Sequence, residues 1–263
     1  TCMSNGKCRL NNPLEPSPTD QSLSQSVCLV TCGKGTLWPY PTGGVTLGQT
    51  VHLFSSADEM VVQLENQDNA EESFNKLFRR MEVNFRAEIN KLEKMNKADS
   101  NVAADRVQEA VRAVIRVTDH TITKASPLND ESYSLQTSYG NGYVEVVIQA
   151  ATLFGARHGL ETLSQLIVYD NLQKKLAIVV NVKVQDEPRF QYRGTMIDIS
   201  RHFISMDKLK ENVRAMGYNK MNVFHIHLSD TASVPVTFPS QPNITAYGAY
   251  DEDKLFSVRD LQD

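Results

Sequence analysis

Two polar segments that follow apolar runs carry the residues most suited to chemistry. Residues 194–202 read GTMIDISRH, and residues 221–230 read MNVFHIHLSD. Arg201 presents a planar, permanently charged fork of donors that can grip paired sugar hydroxyls or a carboxylate, or it can form a structural salt bridge. Asp230 can orient Arg201, accept from substrate hydroxyls, or cap the next segment. An Arg201–Asp230 pair across two strand ends would combine the first two roles.

His225 and His227 alternate along the second segment, so both side chains point to one face of a strand. Two imidazoles at this spacing can bind a metal in a barrel hydrolase, which makes a metal-dependent hydrolase one alternative function. A metal site needs further ligands from later strands, and none can be seen in this sequence. We therefore favour packing of both histidines inside a barrel and expect neither a metal nor a cofactor.

The elements that must position these residues repeat as strand and helix. Residues 192–203 and 221–228 have strand patterns, residues 205–220 have a helical stripe, and residues 256–263 resemble the start of another helix. Parallel strands need crossover helices, so the order predicts either a barrel or an open doubly wound sheet. Working residues of β/α barrels lie at the carboxyl ends of strands, where Arg201 and Asp230 fall.

The preceding residues have a different organisation. Their hydrophobic periodicity and turn residues predict an amphipathic helix at 72–96, a hairpin around residues 140–142, a second helix at 155–170 and a strand at 176–188. His158 on the second helix is expected to make an interdomain or capping contact. We predict a leader at 1–35, an α+β domain at 36–187, and the beginning of a β/α domain at 188–263.

All four cysteines, Cys2, Cys8, Cys28 and Cys32, lie near the start of the chain. Their even number and crowding favour two disulfides over a zinc knuckle, because the spacings are not those of zinc ribbons. The preferred pairing is Cys2 with Cys8 and Cys28 with Cys32. An acceptor triplet for N-glycosylation begins at Asn243, which agrees with a secretory route.

Composition excludes several other classes. The 263 residues are 41% hydrophobic and 22% charged, with a formal net charge of −4. This charge gives no basis for nucleic-acid binding, which needs a clustered basic surface. No apolar run approaches the roughly 18 residues of a membrane span.

Four motifs together resemble the animal-type β-N-acetylhexosaminidases, and the insect branch in particular. They read LWPYPTG, GARHGLETLSQLI, DEPRFQYRGTMIDISRHF and NKMNVFHIHLSD, in that order along the chain. The resemblance implies an α+β N-terminal domain followed by the start of a (β/α)8 TIM barrel, of which about two β/α units are present. It also implies that Arg201 and Asp230 bind the terminal sugar.

The family hydrolyses terminal non-reducing N-acetylhexosamine with retention, using the substrate's own acetamido oxygen as nucleophile. Its catalytic Asp-Glu pair belongs to a later barrel strand, and no Gly-Gly-Asp-Glu motif occurs in this sequence. The resemblance therefore implies the N-terminal portion of such an enzyme, secreted or lysosomal and inactive by itself. Its expected partners are N-acetylhexosamine-terminated glycans or chitooligosaccharides, with a homodimer or a complementary C-terminal chain as the protein partner.

Two aromatic positions of the family are aliphatic here. The family has Trp between the two strand histidines, where this chain has Ile226, and Phe in the segment after the aspartate, where it has Val234. These changes keep open an alternative in which a truncated, non-catalytic relative serves as a sugar-binding or structural protein.

Overall fold

The computed structural model describes Cys8 and residues 23–32, 36–65, 71–96 and 109–262. The chain divides into two units, Thr1–Arg189 and Phe190–Asp263, and each is described by itself. None of the helices in these ranges is long and apolar enough to cross a membrane.

In its described residues, the first unit contains two sheets and three α-helices. Its strands are β1 (Val45–Thr46), β2 (Val51–Phe54), β3 (Met60–Leu64), β4 (Val111–Val117), β5 (Tyr133–Gly140), β6 (Tyr143–Ala150), β7 (Ile167–Asp170), β8 (Lys175–Val179) and β9 (Lys183–Asp186). Its helices are α1 (Gln25–Cys32), α2 (Glu72–Asn96) and α3 (Leu153–Gln165). The larger sheet has the order β1-β9-β5-β6-β4-β3, and the smaller has the order β2-β8-β7.

The larger sheet is mixed, because β3, β4 and β6 run parallel while β5 pairs antiparallel with β6 and β9. Buried residues alternate with more accessible ones along β3, β5 and β6, so one face of the sheet is packed and the other is more open, although the central strand β4 is buried over most of its length. Apolar side chains of α2 and α3 join the buried face in one continuous core. The predicted stripe on α2 is confirmed in part, with Phe74, Phe78, Met81 and Phe85 buried.

The hairpin joining β5 and β6 was predictable from its turn residues. Asn141 and Gly142 both have positive φ, at 55° and 87°. Two consecutive positive φ values define the type I′ turn, which matches the twist of the flanking strands. Asparagine and glycine are the residues that tolerate these angles.

Two predicted element boundaries are wrong. The strand predicted over 176–188 divides at Asn181, whose φ of 59° breaks the extended backbone, and its halves β8 and β9 belong to different sheets. The helix predicted over 155–170 ends at Gln165, and its last residues form β7 against β8. The apolar run there suits a helix or a strand, and tertiary pairing decides between them.

The predicted disulfide pairing is also wrong. Cys8 is bonded to Cys28, not to Cys2. Cys28 and Cys32 lie one helical turn apart on α1 with their Sγ atoms 3.9 Å apart, which exceeds the covalent distance of about 2.05 Å. Cys32 is disulfide-bonded as well, and Cys2 lies outside the described residues. The predicted leader at 1–35 contains the helix α1, which packs against β7 and β8.

His158 makes contacts inside the first unit. The ring is buried in α3, and its Nδ1 lies 3.3 Å from a terminal nitrogen of Arg157. Because a guanidinium can only donate, Nδ1 is the acceptor and the ring proton belongs on Nε2. Nε2 faces the buried carboxylate of Glu131 at 3.6 Å, which ties α3 to the segment before β5.

The second unit contains β10 (Gly194–Asp198), α4 (Met206–Tyr218), β11 (Val223–His227), α5 (Pro242–Gly248) and α6 (Val258–Gln262). Strands β10 and β11 pair in parallel, and α4 is the crossover between them, as the sequence predicted. Ile199, Leu209 and Phe256 are fully or almost fully buried and form its small core.

Candidate functional site

The site lies where β10 and β11 end. Their parallel register places Asp198 directly opposite His227 at the carboxyl end of the pair. The strands approach closely because Gly194 begins β10, and a Cβ there would collide with the carbonyl oxygen of Val223. Side chains that follow these strands therefore meet at one edge.

A tight turn directs Arg201 back over the strand end. One carboxylate oxygen of Asp198 accepts from the backbone N–H of Ser200 at 3.0 Å and of Arg201 at 3.1 Å. This is the local bonding by which an aspartate mimics a backbone turn. Asp198 thus fixes the backbone from which the arginine side chain projects.

Two carboxylates hold the near end of the Arg201 guanidinium. Its Nε lies 2.8 Å from Oδ2 of Asp198 and 3.0 Å from Oδ2 of Asp230. The hydrogen bond to Asp230 and the charge of Asp198 raise the pKa of Arg201 above its ordinary value. Its side chain is 68% exposed, and within the described residues its two terminal nitrogens make no hydrogen bond. An oriented fork of donors consequently faces outward.

Asp230 receives more donors than any other carboxylate in the second unit's described residues. Its Oδ1 accepts from the Ser200 hydroxyl at 2.6 Å and the Ala232 N–H at 2.7 Å. Its Oδ2 accepts from Arg201 and lies 3.3 Å from Nε2 of His227. These bonds, led by the one from Ser200, hold the pKa of Asp230 well below its ordinary range. Asp230 is therefore an anion throughout the physiological pH range.

The expectation that both histidines are packed inside is not met for His225. His227 is half-buried beside Asp230, whereas His225 is exposed and takes no part in the cluster. Ligand atoms of Asp198, His227 and Asp230 lie within 4.8 Å of one another, close enough to hold a metal ion. The Nε of Arg201 already contacts both carboxylates, and its positive charge repels a cation there, so the geometry favours an arginine clamp over a metal centre.

Sequence reasoning selected Arg201 and Asp230, and the structure brings them together. It missed Ser200, a fully buried residue whose hydroxyl is within hydrogen-bonding distance of Asp230 and of the Ser233 carbonyl. Ser233 in turn donates from its own hydroxyl to the carbonyl of Ser200 at 2.6 Å. The Asp-x-Ser spacing after a strand is a turn signal that could have marked this residue.

Comparison with protein families gives two matches. Residues 190–262 match the family described as glycosyl hydrolase family 20, catalytic domain. Residues 37–166 match the family described as beta-acetyl hexosaminidase like.

Curated relatives match over nearly the whole chain. The chitooligosaccharidolytic β-N-acetylglucosaminidase of Bombyx mori is 31% identical over 265 residues, which cover 100% of this chain and 42% of the relative. The probable β-hexosaminidase fdl of Drosophila melanogaster is 35% identical over 267 residues, covering 90% of this chain and 40% of the relative. The chain thus spans about two-fifths of the length of these relatives.

Solved structures share the fold at lower identity. The Flavobacterium johnsoniae chitobiase superimposes with a TM-score of 0.62 at 24% identity, covering 86% of this chain and 32% of that one. An exo-β-N-acetylglucosaminidase of Vibrio harveyi in complex with N-acetylglucosamine gives 0.59 at 22% identity, covering 94% of this chain and 33% of that one.

Proposed function

The chain belongs to glycosyl hydrolase family 20, and from this premise we propose that it is the N-terminal part of a β-N-acetylhexosaminidase. The whole protein would remove terminal non-reducing N-acetylhexosamine from glycans or chitooligosaccharides. The names of the insect relatives support this substrate class.

The domain organisation follows from the same premise. Residues 36–187 are the N-terminal α+β domain, preceded by a disulfide-tied leader at 1–35. Residues 188–263 begin a (β/α)8 barrel, of which β10, α4 and β11 are the first strand, helix and second strand. The parallel pairing of β10 and β11 supports this assignment.

One observation carries the functional proposal: the free fork of Arg201, held from behind by Asp198 and Asp230. Paired donors in a fixed plane suit two neighbouring hydroxyls of a pyranose ring. Asp230 already receives four donors on its two oxygens, so a sugar hydroxyl would bind Oδ2 in place of the 3.3 Å contact from His227. The pair would therefore form one wall of the subsite for the terminal sugar.

Catalysis needs groups that this chain does not supply. We infer a retaining mechanism in which the substrate's acetamido oxygen attacks the anomeric carbon, a departure from the usual scheme with a nucleophilic carboxylate. A glutamate acts as general acid and base in that scheme, and the aspartate before it stabilises the acetamido group as positive charge develops. Arg201 and Asp230 bind and orient the sugar, so this chain alone should hydrolyse no glycoside.

Location and assembly complete the proposal. The Cys8–Cys28 disulfide supports an oxidising compartment and thus a secreted or lysosomal protein. A homodimer or a complementary C-terminal chain would provide the protein partner.

The activity is tested with a chromogenic N-acetyl-β-glucosaminide. The whole protein that contains this chain should release the chromophore, and the 263-residue chain alone should not. Turnover by the chain alone would contradict the assignment of its residues to binding. Lack of turnover by the folded whole protein, with sugar binding retained, would favour a non-catalytic sugar-binding protein.

A further inference from the structure

The open face of the larger sheet carries a depression that is not lined by Arg201 or Asp230. It has a volume of about 700 Å³ and lies in the first unit. The carboxyl ends of β4, β6 and β9 and the start of β5 line it. Ligands of open α/β sheets commonly bind outside the carboxyl ends of strands.

One row of directly opposed residues crosses this depression. The pairing registers place Arg116 opposite Gln149, Gln149 opposite Ser134, and Ser134 opposite Gln185. In the two antiparallel pairs, β6 with β5 and β5 with β9, directly opposed side chains lie about 5 Å apart at their Cβ atoms, and β4 continues the row in parallel pairing with β6. Four adjacent strands therefore present a guanidinium, two amides and a hydroxyl in a line.

Most of these polar groups are uncommitted. In the described parts of the chain, the side chains of Gln149, Ser134 and Gln185 make no hydrogen bond. Arg116 uses only Nε, which lies 2.8 Å from Glu65, so its charge is balanced while its terminal nitrogens stay available. At the other end, Asp186 accepts from Tyr133 and from the backbone of Thr42, both at 3.0 Å.

The chemistry of the row selects a neutral ligand with many hydroxyl groups. Amides both donate and accept, and the one cation is already paired, so no net charge is required of the ligand. A peptide fits poorly, since the strands beneath the row are already paired, and most of the lining residues have polar side chains and none is a large aliphatic residue that could form an anchor pocket. We propose that this row is a second, non-catalytic binding site for a neutral oligosaccharide.

The test uses the full 263-residue chain with Arg201→Ala, which weakens the other proposed sugar site. Binding of a tetrasaccharide of N-acetylglucosamine and of a tetrasaccharide of glucose is followed by NMR. We expect saturable shifts of the backbone amides in the row. The double substitution Gln149→Ala with Gln185→Ala should weaken binding at least tenfold. Gln63→Ala, an exposed glutamine on β3 outside the depression, should leave it unchanged.

A melting temperature equal to that of the parent chain confirms that the double variant is folded. The site is supported if either tetrasaccharide binds the parent, binds the double variant more weakly and binds Gln63→Ala unchanged. A difference in affinity between the two tetrasaccharides shows whether acetamido groups contribute. No saturable binding of either sugar, equal binding by the double variant, or binding of an unstructured peptide in place of sugar would overturn the proposal. These outcomes are independent of hydrolase activity.

Discussion

The Nε atom of Arg201 lies 3.0 Å from Oδ2 of Asp230, although 29 residues separate them in the sequence. The contact exists because β10 and β11 are parallel and in register, so the turns after both strands emerge at one edge. Asp198, three residues before the arginine, contacts the same Nε atom at 2.8 Å. The two terminal nitrogens of Arg201 then face outward, where a sugar could bind.

Asp230 should make the stability of the second unit depend on pH. Its folded pKa lies below its unfolded value of about 3.9, so its stabilising contribution is complete above that value and is lost as pH falls toward the folded pKa. Asp230→Asn should melt below the parent chain at pH 7, and the difference should shrink below about pH 4. The melting temperatures of both proteins are measured by far-UV circular dichroism across this pH range.

The matched control is Asp253→Asn, an exposed aspartate in the same unit. It should leave the melting curve unchanged at both pH values. A difference between Asp230→Asn and the parent that stays constant from pH 7 to about pH 2 would show that the carboxylate charge is not responsible.

Ser200 should position Asp230 without touching the sugar. Ser200→Ala removes a donor from a carboxylate whose remaining bonds are to Ala232, Arg201 and His227. We expect KM of the whole enzyme to rise several-fold, because the Arg201 clamp loosens, with a smaller change in kcat. Ser229→Ala, an exposed serine beside Asp230, is the control. Equal kinetics for both variants would rule out the positioning role.

The Cys8–Cys28 bond should be found directly by peptide mapping. Non-reducing digestion and mass spectrometry should yield a linked peptide pair containing Cys8 and Cys28. The bond closes a loop with a sequence separation of 20, so its loss in Cys8→Ser should destabilise the chain by roughly 3 kcal/mol. Recovery of a Cys2–Cys8 peptide would contradict the structure.

Asn243 is a candidate for N-glycosylation in a secretory host. Its side chain is exposed at the start of α5, whereas Thr245 of the same triplet is buried and its hydroxyl donates to the Val236 carbonyl at 3.0 Å. Asn243→Gln should abolish a mass shift that is sensitive to glycosidase and leave folding intact. Thr245→Ala should also remove the glycan but lower the melting temperature, since a buried bond is lost. An unshifted mass for the parent chain would refute the modification.

Local patterns predicted the parts of the fold that depend on neighbouring residues. The stripe of α2, the Asn141–Gly142 turn and the crossover from β10 to β11 all follow from short-range periodicity or turn chemistry. The division of residues 176–188 between two sheets does not, because it depends on which distant strands are available as partners. The same limit explains the disulfide error, since the helix that presents Cys28 was not foreseen.

The charged residues of the candidate site were predictable from the sequence, whereas the residue that positions Asp230 was not. Arg201 and Asp230 follow strand patterns and carry obvious chemistry, so their types and positions sufficed. Ser200 is an ordinary residue whose importance arises only when the fold buries it against Asp230. Burial of a small hydroxyl between two turns is a tertiary property that no local pattern contains.

The most direct test of the central claim is kcat/KM of the whole protein toward a chromogenic N-acetyl-β-glucosaminide, for the parent and for Arg201→Ala. If Arg201 binds hydroxyls of the terminal sugar, loss of its charged hydrogen bonds should lower kcat/KM by roughly tenfold to a hundredfold. Arg214→Ala, an exposed arginine on α4, should change it little. Unchanged kcat/KM in a folded Arg201→Ala enzyme would contradict the claim that this clamp forms the sugar subsite.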